Sequence, residues 1–415
     1  MDIKEFLNTS LTAYHTVKNS ESILQENGFK KLTLDNFSIE RGGKYYITEN
    51  GSAVIAFKVG DLAHYAFNIV GSHTDSPALK VKGKKLMDSP EGKRLNIEMY
   101  GGLIRYSFMD IPLQIAGRLF VKADGGLTQK LVESSFNVNV PSLCIHHNPT
   151  VNDNCSLNAQ VDMLPLVGGD KEDIYSLLSD NEVIDADLYV VPSVKAYESG
   201  VQNQFLCSPR IDNLTSVYTS LYGLIEANPS GVAIAACFDN EEIGSETKQG
   251  AGASFLTNVL KAINAGLGFG KAEFALALKN GFVLSSDNGH AVHPAHPEKS
   301  DVAEKVYLNK GIVIKHHTNY ATDGLSSAVV KAICEKSGIA WQDYYNRSDV
   351  RCGGTIGKIT SSQLTINTCD IGLAQLAMHS AIETVGAGDI ALMQKLVKAF
   401  YDTKIIIENE NINLL

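Results

Sequence analysis

No apolar run in this 415-residue sequence approaches the roughly 18 residues needed to cross a bilayer, so no membrane partner is expected. Basic residues are in deficit: 36 Lys and Arg stand against 46 Asp and Glu, a net charge of -10. Nucleic-acid binding needs Lys and Arg to displace counterions from phosphates, and that class is set aside. A small-molecule substrate is not excluded, because the potential inside a cleft can oppose the net charge. The N-terminal stretch MDIKEFLNTSLTAYHTV lacks the charged, apolar and small-residue order of a signal peptide. The cysteines Cys144, Cys155, Cys207, Cys237, Cys334, Cys352 and Cys369 are scattered and never spaced C-x-x-C. That spacing fits reduced thiols in a cytoplasmic protein and argues against a disulfide framework or a structural zinc site. Several catalytic signatures are missing too. There is no H-E-x-x-H helix and no G-x-S-x-G elbow, and GLGFGKAE lacks the first Gly and the Ser or Thr of a phosphate-binding loop. No segment is of low complexity, and no internal repeat is present.

What remains is an ordinary globular composition, 44% hydrophobic and 20% charged. The length exceeds the usual single core and predicts two domains or one domain with a large insertion. The first thirty residues carry apolar positions at helical spacing and stop near Gly28. Four later stretches share one design, a short apolar run followed by a polar loop. YAFNIV leads into GSHTDSPALK, VAIAACF into DNEEIGSETKQGAG, GFVLS into SDNGHAVHP, and QLTINT into CDIGLAQLAMHS. Runs of that kind suit strands buried on both faces of a parallel sheet. Helical segments lie between them, including NLTSVYTSLYGLIEA, GASFLTNVLKAIN, GLSSAVVKAICEKSG and DIALMQKLVKAFYDT. Alternating strand and helix predicts an α/β layer fold. From about 81 to 204 the pattern changes to short alternating runs, which reads as a β-rich insertion. The expected division is 1–80 and 205–415 for one domain and 81–204 for the other.

In open α/β sheets, functional groups gather beyond the carboxyl ends of the strands. The four polar loops leave such ends. A fifth segment, SPRIDNLTSVY, sets Asp212 and Asn213 at the start of a helix, where the dipole favours a carboxylate. Taken singly, each residue has an ordinary structural explanation. His379 reads as a core histidine bonded to backbone, DNEEIG as a solvated acidic loop, and Asp212 as an N-cap. Their shared placement points instead to metal-assisted hydrolysis. Zinc takes imidazole nitrogen and carboxylate oxygen, and two such metals about 3.5–4 Å apart need a carboxylate between them. The candidate ligands are His73, Asp212, Glu242, Asp287 and His379. Glu241 sits beside a ligand and is placed to take a proton.

Six segments, in this order, resemble the motifs of the aspartyl aminopeptidase and vacuolar aminopeptidase I family of zinc metallopeptidases: GSHTDSPALKVK, SPRIDNL, DNEEIGS, SSDNGHAVHP, YATD and QLAMHS. YGGLIRYSFMDIPLQIAGRL, PSLCIHHNP and NRSDVRCGGTIG resemble further family segments, so the likeness covers nearly the whole chain. In place of the family's FDRDL run this chain has MDIPL, keeping Asp110 and Leu113.

The resemblance implies an α/β fold, a three-layer αβα zinc-peptidase domain with an inserted β-rich lid or dimerisation domain. It implies two Zn2+ per subunit, with Co2+ or Mn2+ compatible with the same donors. His73 and Asp287 would serve one metal and Glu242 and His379 the other, with Asp212 bridging. Asp75 would orient His73, and Glu241 would be the general base. His146 would reach a neighbouring subunit's site, and Lys315 and Tyr320 would lie near the substrate. His290 and His293 would stand beside Asp287 without ligating. The expected partners are peptides and further copies of the chain, in a dodecamer built from dimers.

The implied activity is removal of N-terminal residues from peptides. Lys315 offers a cation for an acidic N-terminal side chain, Asp or Glu. Relatives with neutral preference carry similar motifs, and an exposed ion pair contributes only up to about 1 kcal/mol, so one lysine does not decide the preference. Two rival classes stand beside this one. A carboxypeptidase or N-acyl amino-acid deacylase on a similar fold would need a cationic pocket for a free carboxylate. A catalytically silent assembly scaffold would have no use for Glu241.

Overall fold

Four strands run parallel at the centre of a nine-stranded sheet: Val232–Phe238, Phe67–His73, Phe282–Ser286 and Asn367–Gly372, in that spatial order. The computed structural model describes residues 1–408 and 411–415. Flanking strands turn the sheet mixed. Ala53–Val59 pairs antiparallel with Val232–Phe238, and Ile312–His316 antiparallel with Asn367–Gly372.

Each central strand is buried on both faces, as its apolar run requires. Val70, Ala233, Ala235, Cys237 and Leu284 face a core shared with helices Ile3–Thr9, Ala13–Glu26, Ile211–Glu226, Gly324–Lys336 and Ala387–Asp402. Ile69, Ile234, Ala236, Phe238 and Val283 face another core, with helices Phe255–Gly266, Lys271–Lys279 and Ile356–Leu364. The result is three layers, helix on sheet on helix. No helix among the described residues is long and apolar enough to cross a membrane.

Between Phe67–His73 and its sheet neighbour Val232–Phe238 the chain builds a separate β-rich body. Strands Gly126–Glu133, Leu113–Ala123, Val183–Pro192, Ala78–Val81 and Ile97–Tyr100 form a five-stranded sheet in that order. It has its own core, centred on Leu79, Ile97, Phe108, Ile115, Val140 and Val190. The weak helical periodicity there is matched by two short turns among the described residues, 3-10 at Arg105–Phe108 and α-helical at Tyr175–Leu178. A third sheet, of Tyr197–Ser199, Phe205–Ser208, Glu383–Gly386, Ala374–Leu376 and Gly289–His290, borders both bodies.

Two segments depart from the sequence reading. The N-terminal helical pattern is divided at Ser10–Thr12, with Thr12 extended at the second helix's N-cap position and Gly28 at φ +80° just past its end. The fourth apolar run is shifted. Gln363 and Leu364 close helix Ile356–Leu364, Thr365 caps it in the left-handed region, and the strand is Asn367–Gly372. Its Asp370 reads as the start of a loop yet is fully buried. That carboxyl accepts from Thr355 Oγ1 at 2.5 Å and from the Ala321 amide at 2.7 Å, so a polar residue sits inside the sheet without an unmet bond.

The cysteines are all free. Cys144 and Cys155 are exposed and the other five buried. Lys271 opens a helix whose Gly270 amide is taken by Glu273 Oε2 at 2.9 Å, an ordinary capping arrangement.

Candidate metal centre

His73 is the last residue of its strand, Glu241 and Glu242 follow Val232–Phe238 on a single 3-10 turn, and Asp287 follows Phe282–Ser286. Asp212 lies in the first turn of helix Ile211–Glu226, where its own φ and ψ are not yet helical. His379 arrives differently from the sequence expectation. It is not on the loop leaving the main sheet but further on, between Ala374–Leu376 and Glu383–Gly386 of the third sheet, at φ +66°. That sheet carries it back over the ends of the central strands.

The five candidate ligands fall into two groups of three, His73 with Asp212 and Asp287, and Asp212 with Glu242 and His379. Asp212 belongs to both. His73 Nε2 lies 3.5 Å from Asp212 Oδ1 and 3.5 Å from Asp287 Oδ1. His379 Nε2 lies 3.4 Å from Asp212 Oδ2 and 3.4 Å from Glu242 Oε1. The two oxygens of one carboxylate thus face the two imidazoles separately. These separations are long for hydrogen bonds. They match the edge of a tetrahedron: donors about 2.0–2.1 Å from one cation lie about 3.3–3.4 Å from each other.

Both imidazoles present a lone pair to their group. His73 Nδ1 donates to the Asp75 carbonyl at 3.1 Å, with Asp75 Oδ1 at 3.4 Å. His379 Nδ1 donates to the Gly102 carbonyl at 3.2 Å. A carbonyl only accepts, so each Nδ1 carries the proton and each Nε2 is free to ligate.

The residues fit divalent cations. Asp212 Oδ1 and Glu242 Oε1 are buried and have no hydrogen-bond partner among the described residues. A buried carboxylate oxygen without a partner is costly unless a positive charge meets it. The electrostatics agree. Burial pushes the Glu241 carboxyl up to about 8, with the Asp287, Glu242 and Asp75 carboxylates adding and His73 opposing. Burial pulls His379 down, but the Asp212 and Glu242 carboxylates outweigh it and hold the imidazole near 11. His73 is likewise held well above its ordinary value by Asp212, Asp287 and Asp75 against its burial. The cluster attracts positive charge, and bound cations would take the place of those protons.

Glu241 lies with His73 and Glu242 in a further group of converging donors. Its amide and that of Glu242 donate to the Asp75 carboxyl at 3.1 and 3.2 Å. Asp75 therefore braces both the strand end at His73 and the turn bearing the two glutamates.

The remaining candidates sit apart from the groups of three. Lys315 is buried, and its ammonium donates to the Asp287 carbonyl at 2.9 Å, Asp287 Oδ2 at 3.2 Å and the Asn288 carbonyl at 3.2 Å. All three N–H groups are committed, so the expectation of a direct pair with a substrate side chain finds no free donor. Tyr320 lies under that ammonium, 5.0 Å from it to the ring centroid, and accepts from Cys352 Sγ at 3.3 Å. His146 is exposed on a turn of the β-rich body and joins none of the groups. Asp110 accepts from the Ser142 amide at 2.9 Å in the same body. His290 is exposed, edge-on to Tyr344, and His293 accepts from the Ala295 amide at 3.2 Å.

Two supporting residues escaped the sequence reading. Glu383, fully buried, bonds the main chain of both Asp212 and His379. Tyr100 donates to Asp75 Oδ2 at 2.7 Å. Glu383 stands four residues after His379 with no motif of its own, and Tyr100 opens YGGLIRYSFMDIPLQIAGRL, a segment whose resemblance assigned no role to the tyrosine.

Residues 6–401 match the family described as aminopeptidase I zinc metalloprotease (M18). A probable M18 family aminopeptidase 2 of Clostridium novyi (strain NT) is 40% identical over 427 residues, covering 97% of this chain and 98% of the relative. Among solved structures, the cryo-EM structure of the Ape4 and Nbr1 complex matches with a TM-score of 0.90 at 30% identity, covering 96% of this chain and 84% of that one. The S. cerevisiae mApe1 dodecamer matches with a TM-score of 0.83 at 26% identity, covering 96% of this chain and 95% of that one.

Proposed function

The chain belongs to the M18 family of aminopeptidase I zinc metalloproteases and is a metal-dependent aminopeptidase, and from that premise we propose that it releases N-terminal residues from peptides at a two-cation centre. His73 and Asp287 would hold one cation and Glu242 and His379 the other, with Asp212 a member of both groups. The observation that carries this reading is the division of Asp212, one oxygen toward each imidazole at 3.5 and 3.4 Å. When bound, such a pair of cations supplies Lewis acidity to a peptide carbonyl and to an attacking water.

The chain's own groups do the rest. Glu241 takes a proton from the attacking water at its carboxylate and returns it to the leaving amine. The raised proton affinity of its pocket, opposed by bound cations, suits that exchange near neutral pH. Asp75 fixes the turn that aims Glu241 and keeps His73 in one orientation. Asp287 or Asp110 would supply the acidic neighbour for the substrate's α-amine. Lys315 keeps Asp287 in place, and Tyr320 packs beneath it. His146 serves a neighbouring copy in a homo-oligomer, a dodecamer by likeness to the mApe1 assembly. We assign 81–204 as the inserted domain, 1–80 and 205–415 as the catalytic one, and the cytoplasm as the working compartment.

The test is hydrolysis of aminoacyl substrates bearing Asp, Glu, Leu, Met or Lys, with chelator and then with zinc, cobalt or manganese restored. Metal-dependent release lost in Glu241→Gln supports the chemistry, and the panel separates an acidic from a neutral preference. A folded protein releasing nothing under any metal would overturn it and leave the deacylase and silent-scaffold readings. Release of the last residue from a peptide would point to a carboxypeptidase.

A further inference from the structure

We propose that Tyr100, Gly101 and Gly102 form a positioning strap by which the β-rich body orients one part of each cation group; the inference rests on the two-cation aminopeptidase reading. Three consecutive residues touch the machinery of both groups. The Tyr100 hydroxyl donates to Asp75 Oδ2 at 2.7 Å and accepts from Asn240 Nδ2 at 2.7 Å. Gly101, at φ +74°, passes so close to Glu242 that a Cβ there would lie 3.1 Å from Glu242 Cβ and 3.3 Å from its Oε2. The Gly102 carbonyl takes the Nδ1 proton of His379 at 3.2 Å.

Each contact has a chemical consequence. Tyr100 is the side-chain donor on an Asp75 carboxyl whose other bonds come from the Glu241 and Glu242 amides. Without it, Asp75 Oδ2 keeps only the Glu242 amide, and the carboxylate beside His73 and both glutamates is held less firmly. At Gly101 a side chain would meet positive φ and a tight contact with Glu242 together, and glycine avoids both. Gly102 fixes the tautomer of His379, and tautomer decides whether Nε2 can ligate.

The strap is anchored in the β-rich body and not in the main sheet. Tyr100 ends strand Ile97–Tyr100, and its ring stands edge-on to Tyr189 of strand Val183–Pro192, with centroids 5.5 Å apart. The same body grips the His379 loop from both sides. The Ile104 amide donates to the His379 carbonyl at 2.9 Å, the Ala381 amide to Ser107 Oγ at 2.9 Å, and the Ala381 side chain is buried in the β-rich core. The chain therefore divides labour: the α/β layers and the third sheet supply the donors, and the insertion sets how two of the supporting bonds are made. Tyr100 is a positioning residue, since it reaches the cations through Asp75.

The experiment compares the full-length wild type with Tyr100→Phe, Gly101→Ala and the double variant. Zinc affinity is read by competition with a chromogenic chelator, independently of turnover, and kcat and KM are read on one aminoacyl substrate. Loss of a supporting partner at a metal site commonly weakens metal binding by roughly 10–100-fold. Each single variant is expected to weaken one equivalent of zinc by that order and to lower kcat roughly tenfold with KM within about twofold. The double variant is expected to weaken both equivalents. Gly101→Ala carries the test alone should Tyr100→Phe not fold. Folded variants with wild-type zinc affinity and kcat would overturn the strap while leaving the aminopeptidase reading intact. A wild type that holds none of zinc, cobalt or manganese would overturn that reading, and the strap with it.

Discussion

The Asp212 backbone N–H donates to Glu383 Oε2 at 2.9 Å, and the other oxygen of that carboxyl accepts the His379 N–H at 2.6 Å. One buried side chain thus fixes the main chain of the shared carboxylate and of a histidine 167 residues later in sequence, the interval from 212 to 379. Glu383→Gln would turn one acceptor into an NH2 group facing an N–H. A buried donor left unmet costs about 1–3 kcal/mol. Thermal unfolding should show a lower Tm, and chelator competition weaker zinc binding. Wild-type values for both would reduce Glu383 to a bystander.

Glu241→Gln should lower kcat by roughly 10²–10⁴-fold, the usual loss when a general base is removed. Metal content should hold, because Glu241 lies outside the two groups that share Asp212. Metal analysis alongside kinetics checks both halves. A large loss of zinc in this variant would place Glu241 among the ligands instead.

Most of the centre was legible because strand ends are legible. His73, Glu241, Glu242 and Asp287 each follow an apolar run that forms a central strand. Asp212 was readable from a helix start. His379 was found as a residue but misplaced in the topology, since Asp370 is a buried carboxyl inside a strand and imitates a loop. Tyr100 and Glu383 were not legible. Their roles arise only when segments far apart in sequence meet: the resemblance of YGGLIRYSFMDIPLQIAGRL marks the stretch that Tyr100 opens but not its bond to Asp75, and a Glu entering a strand has no pattern of its own. Lys315 was legible as a charge near the site, but the direction of its ammonium depends on the Asp287–Asn288 main chain.

Removing the cations should destabilise the fold. The centre gathers the Asp212, Asp287, Glu242 and Glu241 carboxylates around His73 and His379, with buried oxygens left unpaired. A ligand present at 1,000 times its Kd stabilises by about 4 kcal/mol. Chelation should therefore lower Tm, and zinc should restore it. An unchanged Tm on chelation, with metal loss verified, would mean that the cluster does not hold its cations in the folded state.

His15 gives a pH dependence away from the centre. Its Nδ1 lies 2.9 Å from Thr12 Oγ1, and burial, with Arg210 adding, lowers the imidazole to about 4. The folded value is below the unfolded one, so the unfolded chain binds more protons between pH 4 and 6.5. Stability from this group is full above about pH 6.5 and falls as pH drops toward 4, by roughly 3 kcal/mol at most. The centre titrates as well, so the measurement is the difference between wild type and His15→Gln in urea unfolding across that range. The difference should shrink as pH falls. A constant difference would mean that His15 is already protonated at neutral pH or is open to water.

Lys315→Met separates two roles for one ammonium. If the lysine met an acidic substrate side chain, the variant would lose activity on Asp and Glu substrates and keep it on Leu and Met. The structure commits the ammonium to Asp287 Oδ2 and to the Asp287 and Asn288 carbonyls. Removing it leaves those buried acceptors unmet and frees Asp287 to move away from His73. The expected outcome is a fall in kcat/KM of roughly 10–100-fold on acidic and neutral substrates alike, with weaker zinc binding. A loss confined to acidic substrates, with zinc affinity unchanged, would show that the ammonium turns toward the substrate when one is bound.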